Sequence, residues 1–260
     1  MFCSLPYEIG GMLTGLSRWA KTKRMRILVA GLRFLTVWNR LSARPADPVF
    51  VGVAAPCFPI IGLLHGLVLA LLSRALDNYV DSELLSIVLV TVLIIVTGGS
   101  HLDGLQKTFD ALGASDMSRR TNSLKGALGT VVIVIVLLFK IKSVDILEDK
   151  LTVGLLLTPA LARWTLVVFI YGSYRHCEGE LRLIAQYVRF WHLAVTTCVT
   201  LAIAAYSLGR SGLWIALCLC AVALICRKLW LKAAGVLTMD NVGAVVELSE
   251  GLSLTLLASF

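Results

Sequence analysis

Apolar residues run along this chain in long unbroken blocks separated by short polar segments, a pattern that fits neither alternating strands nor one-sided surface helices. A helix needs about 20 apolar residues to cross a bilayer. Blocks that approach this length lie at 49–72, 84–99, 124–141, 151–172, 192–208, 213–226 and 242–257. A weaker block at 27–41 is interrupted by Arg33 and reads as an interfacial helix. The pattern predicts an all-α, polytopic integral membrane helical bundle with about six to seven transmembrane helices, because only helices or closed barrels satisfy their backbone in lipid.

Composition sharpens this reading. The 260 residues are 58% hydrophobic and 15% charged, against about 45–50% and about 25% in soluble domains. No polar stretch is long enough for a separate globular core. Residues 28–260 are therefore read as a single membrane-embedded domain, and 1–27 as a basic N-terminal extension. That extension lacks the features of a signal peptide: its apolar stretch is short and holds Gly10, Gly11 and Gly15. Met25 opens a stretch that looks like a natural start.

The formal charge of +8 would suggest nucleic acid in a soluble protein, but here the basic residues sit between spans. Lys107, Arg119, Arg120 and Lys125 share one loop, Arg175, Arg182 and Arg189 another, and Arg227, Lys228 and Lys232 a third, whereas Asp77, Asp81 and Glu83 dominate the loop at 77–83. The positive-inside rule puts segments 101–129, 174–189 and 227–240 on the cytoplasmic face of a cell inner membrane. Lipid, not nucleic acid, is the expected surrounding partner. Of the seven cysteines, Cys57, Cys198, Cys218, Cys220 and Cys226 lie in apolar runs without CxxC or His partners, and are read as small core hydrophobes.

Three polar clusters carry candidate chemistry. Gly98-Gly99-Ser100-His101-Leu102-Asp103-Gly104 ends a span, and Asp103, Lys107 and Asp110 follow at i, i+4 and i+7, on one helical face. Carboxylates so placed could hold Mg²⁺ together with ligand phosphates; the plain alternative is a solvated Asp103–Lys107 pair. Asp240 and Glu247, seven apart in the last block, also share a face, and a carboxylate within a span normally faces the bundle interior. Lys125-Gly126-Ala127-Leu128-Gly129, beside Asn122, opens a span with small residues; it suits an anion at a helix N-terminus or close helix packing. Arg163 lies deep in the fourth block and must meet a carboxylate, a phosphate or the bilayer surface. With no Ser/His/Asp arrangement, Walker sequence or haem motif, metal-assisted phosphoryl chemistry on a membrane-associated substrate fits best.

In this order the clusters resemble the cobalamin synthase family, also called adenosylcobinamide-GDP ribazoletransferase. The likeness runs from about Leu28 to the C-terminus and rests on Arg33-Phe34-Leu35-Thr36, Phe58-Pro59-Ile60-Ile61-Gly62, the 98–104 and 125–129 clusters, Ala162-Arg163-Trp164, Glu178-Gly179 and the segment 235–250. The resemblance implies that a ribose hydroxyl of α-ribazole, or of its 5′-phosphate, attacks the corrinoid-GDP substrate and releases GMP with Mg²⁺ present. It implies Asp103, Asp110 and Asp240 as metal ligands, and His101 beside Asp103 and Asp110 as the catalytic group. Lys107, Asn122, Lys125, Gly126, Arg163, Arg175, Thr238 and Glu247 would contact substrate. A homo-oligomer, or association with other corrinoid-assembly enzymes, would suit such a protein.

The chain departs from the family pattern at Lys107, where a third Asp is usual, at Asn122-Ser123-Leu124, where Asp-Ser-Arg is usual, and at Met239, where Gly is usual. The segment between Asp110 and Asn122 is also about five residues short by comparison with that pattern. Two other readings therefore stand beside the synthase: a non-catalytic corrinoid-binding paralogue, and a related membrane phosphotransferase with another nucleotide-activated substrate.

Overall fold

The computed structural model describes residues 24–41, 46–116 and 127–260. Among these the chain forms helices and an isolated bridge, with no strand. Helix α1 covers residues 24–34. It is followed by α2 (Trp38–Leu41), α3 (Pro48–Val53), α4 (Phe58–Leu76), α5 (Ser82–Thr97) and α6 (Ser100–Asp116). Then come α7 (Ala127–Asp145), α8 (Leu151–Ile170), α9 (Gly179–Tyr187), α10 (Phe190–Ala234) and α11 (Met239–Ser259). The block expected at 49–72 is divided, because Pro56 and Pro59 break it into α3, a 3₁₀ turn and α4.

Among the described residues five stretches are long and apolar enough to cross a membrane: Ala55–Leu76, α7, Glu148–Ile170, α10 and α11; α5 and α6 taken as one bent span make a sixth. The 45 residues of α10 are two limbs, since Gly209 has φ 58° and ψ −132°. Gly212 lies so close to the Ala204 carbonyl that a Cβ there would collide with it. Residues eight apart in a straight helix are about 12 Å apart along the axis, so the chain reverses at Gly209. The limbs correspond to the blocks expected at 192–208 and 213–226, and the expected polytopic bundle is what is observed.

The centre of the bundle is α8, every residue of which from Leu157 to Ile170 is buried. Its neighbour α4 approaches through Gly62 and Gly66, where an added Cβ would lie 2.6 Å from the Ala160 and Leu156 backbones respectively. This small-xxx-small spacing lets membrane helices pack backbone to backbone. The outer helices keep apolar side chains exposed where lipid would cover them, including Leu71, Ile95, Leu138 and Leu217. Cys198 and Cys218 are exposed as well, and Cys57, Cys220 and Cys226 only partly buried. Cys57, Cys220 and Cys226 pack against the core as expected, whereas Cys198 and Cys218 do not, because α10 turns those positions outward.

The two ends of the bundle differ. At one end Lys142 pairs with Asp145 close to the start of α5, and Gly209 turns the chain. The other end gathers the α5–α6 turn, α9, and the starts of α7, α10 and α11. There Leu237 N–H donates to the His176 carbonyl (2.8 Å) and Glu178 N–H to that of Leu237 (3.1 Å), joining the loops before α9 and α11. Burial pushes the Cys177 thiol in this bridge above its ordinary value, which suits a packing role.

Candidate functional site

The site end is organised by a sharp turn. Gly98 and Gly99 have φ 65° and 64°, a left-handed pair that ordinary residues adopt only with strain. Their N–H groups return to the Ile95 and Ile94 carbonyls and close α5. The polar helix α6 then departs at 87° to α5, crossing the end of the bundle instead of continuing through it. It lies on α11 through Gly104 and Gly243. A Cβ on Gly104 would sit 2.7 Å from the Asp240 carbonyl oxygen, and one on Gly243 3.1 Å from the His101 backbone. The glycines thereby bring His101 and Asp103 of α6 to the first turn of α11.

That first turn is held by a capping box: Thr238 N–H donates to Asn241 Oδ1 (2.8 Å), and the Thr238 side chain accepts from the Asn241 N–H. Asn241 Nδ2 donates to Thr108 Oγ1 of α6 at 3.2 Å. Thr238, expected as a substrate contact, has its hydroxyl engaged in this cap.

Asp103 and Lys107 form an ion pair of 2.8 Å with side chains 43% and 56% exposed. Asp240 lies within electrostatic reach of both. Two clefts meet at this rim. One, of about 180 Å³, is the more polar, with Ser100, His101, Asp103, Glu180 and Asp240 on its wall beside Phe34, Val51, Ile184 and Met239. The other, of about 230 Å³, is mostly apolar and runs from Lys107 and Asp240 to Trp230. His101 is buried, and its Nε2 has no hydrogen-bond partner among the described residues.

Asp110 faces a different neighbour. Its Oδ1 accepts the Gly129 N–H at 2.8 Å, so this carboxylate caps α7 from outside. Gly129 packs directly on α6, the close-packing reading of its cluster. Among the described residues no three His, Cys, Asp or Glu side chains group as a metal cage. Asp103, Asp110 and Asp240 are accordingly divided: two carboxylates line the polar cleft, and the third serves the α7 terminus.

Asn122, Lys125 and Gly126 lie outside the described residues. Arg175 stands on an exposed turn, its Nε donating to the Tyr174 hydroxyl at 2.9 Å, and lines neither cleft. Arg163 and Glu247 sit inside the bundle. Lys140 Nζ donates to Glu247 Oε2 (2.5 Å) and Glu250 Oε2 (2.6 Å), and Arg163 Nη1 donates to Glu250 Oε1. These four side chains are at most 4% exposed. Two cations and two anions balance, as burial in a low-dielectric interior demands. Arg163 thus meets a carboxylate, one of its three anticipated partners. Lys140 escaped the sequence reading because, with Lys142 two residues on, it reads as part of the charged end of its apolar run.

Comparison with known proteins covers nearly the whole of the described chain. The cobalamin-5-phosphate synthase description matches residues 27–258. Adenosylcobinamide-GDP ribazoletransferase of Pseudomonas aeruginosa (strain PAO1) is 34% identical over 247 residues, covering 90% of this chain and 98% of its own. The proteins of that name from Syntrophobacter fumaroxidans and Roseiflexus sp. are 31% and 30% identical; the alignments cover 86% and 87% of this chain, and 94% and 87% of theirs. No solved structure matches. With the match running through every helix that builds the rim and the buried charges, the chain belongs to the cobalamin-5-phosphate synthase family.

Proposed function

We propose that this protein transfers the activated cobinamide phosphate of adenosylcobinamide-GDP to the ribose hydroxyl of α-ribazole or its 5′-phosphate, releasing GMP. The observation that carries the reading is the meeting of two clefts at one rim bearing Asp103, Lys107 and Asp240. A transferase must hold two substrates side by side, and adjoining clefts allow that. The acceptor oxygen bonds to the cobinamide-side phosphorus, the bond from that phosphorus to the GMP oxygen breaks, and the hydroxyl proton leaves.

Mg²⁺ fits the polar cleft, since it takes one or two carboxylates and completes its shell with water and phosphate oxygens. Asp103 and Asp240 would hold it, and when bound it neutralises phosphate charge. Lys107 turns its ammonium from Asp103 toward a phosphate oxygen, supplying charge where the family pattern has another carboxylate. His101 lines the same cleft, with its Nε2 buried and unpartnered among the described residues. The basic segments of this end support an orientation toward the cytoplasmic face of an inner membrane, where nucleotide substrates are at hand.

The test is GMP release by detergent-purified protein given adenosylcobinamide-GDP, Mg²⁺ and α-ribazole or its phosphate, with Asp103→Asn as control. Turnover that requires the acceptor and is lost in the control is expected. Absence of turnover with either acceptor, in folded protein that still binds corrinoid, would reject the proposal.

A further inference from the structure

The two clefts at the rim are chemically unlike, and that difference assigns their occupants. The larger is walled by Ala111, Leu112, Trp230, Ala233, Ala234 and Val236. Polar residues also border it, but they are engaged with one another: Thr238 and Asn241 in their capping box, Asn241 with Thr108, and Lys107 with Asp103. Asp240 is common to both clefts and marks where they join. The space is therefore mostly apolar, with Asp240 where it adjoins the other cleft.

Resting on the proposed transferase reaction, we infer that this apolar cleft is the subsite for the benzimidazole base of the acceptor nucleoside, its ribose directed to the Asp240 rim. A planar, bicyclic, largely hydrocarbon base suits walls of alanine, valine and tryptophan. Guanine does not: its amino, carbonyl and ring N–H groups would face walls that leave them unpaired. The corrin macrocycle with its amide side chains is too large for about 230 Å³. The donor's phosphates belong in the polar cleft, beside Asp103 and His101. With the base seated toward Trp230, the attached ribose emerges at the junction of the clefts, where its hydroxyl meets the donor.

Ala111 and Ala233 are exposed alanines on opposite walls, on α6 and α10. Ala111→Phe and Ala233→Phe would each fill the cleft, the second from α10, a different helix from the one that bears Asp103 and Lys107. The expected result is a rise of at least about tenfold in KM for α-ribazole, with KM for adenosylcobinamide-GDP within about twofold of the parent. A rise in donor KM instead, or no change in either, would overturn the assignment. Equilibrium dialysis gives a second readout on the unaltered protein: labelled α-ribazole should be displaced by free 5,6-dimethylbenzimidazole and not by GMP. Displacement by GMP alone would overturn the assignment even if both variants misfolded. Failure of the transferase reading is distinguishable, because it removes acceptor-dependent GMP release from the parent protein itself.

Discussion

Asp103 and Lys107 pair with both side chains about half exposed, whereas Lys140, Arg163, Glu247 and Glu250 pair with almost no exposure at all. Contacts of similar length therefore do different work. At the rim water screens the charges, and an exposed pair contributes only about 0–1 kcal/mol. Such groups can exchange partners, which binding and catalysis require. Inside the bundle the side chains are almost wholly shielded from bulk water, so each charge depends on the others and the cluster locks α7, α8 and α11 together. Glu247 and Asp240 lie on one helix seven residues apart, yet fall on opposite sides of this division.

The sharpest way to break the comparison is Lys140→Met, which strands Glu247 and half of Glu250's pairing. A loss of about 3–5 kcal/mol in stability is expected, read as a lowered thermal midpoint in detergent. Adding Glu247→Gln should restore more than half of it by returning the cluster to neutrality; no recovery would show that packing, not charge balance, governs these residues. Asp103→Asn is the converse. Turnover should fall by about 100-fold while the thermal midpoint shifts by less than about 1 kcal/mol equivalent. A large midpoint shift would put Asp103 among the structural charges.

Smaller effects sharpen the boundary. Lys107→Met should raise donor KM by about tenfold, the scale of one charged hydrogen bond, with stability unchanged within about 0.5 kcal/mol. Unaltered kinetics would leave the ammonium as a plain partner of Asp103. Asp110→Ala should cost about 1 kcal/mol through the uncapped start of α7, detected as faster amide exchange at Gly129 and its neighbours. Unchanged exchange would return Asp110 to the list of candidate metal ligands.

Much of this was legible in the sequence, for reasons tied to particular residues. The length of an apolar block is a one-dimensional property matched to bilayer thickness, so the spans at 124–141, 151–172 and 242–257 could be read directly, as could the end of α5 at Gly98-Gly99. Loop charge separated the ends of the bundle for the same reason. Family likeness followed from ordered motifs, which also require no coordinates.

Partner identity belonged to the tertiary structure. Asp103, Lys107 and Asp110 share a helical stripe, but only the arrival of α7 at its lower end diverts Asp110 to the Gly129 N–H. Lys140 lies 107 residues from Glu247 and 110 from Glu250, separations at which spacing carries no geometric information. The clefts depend on the 87° turn of α6 and on backbone contact at Gly104 and Gly243. A sequence states which residues could carry charge into a membrane; only the packed helices decide which charges stay in reach of water and which must satisfy each other.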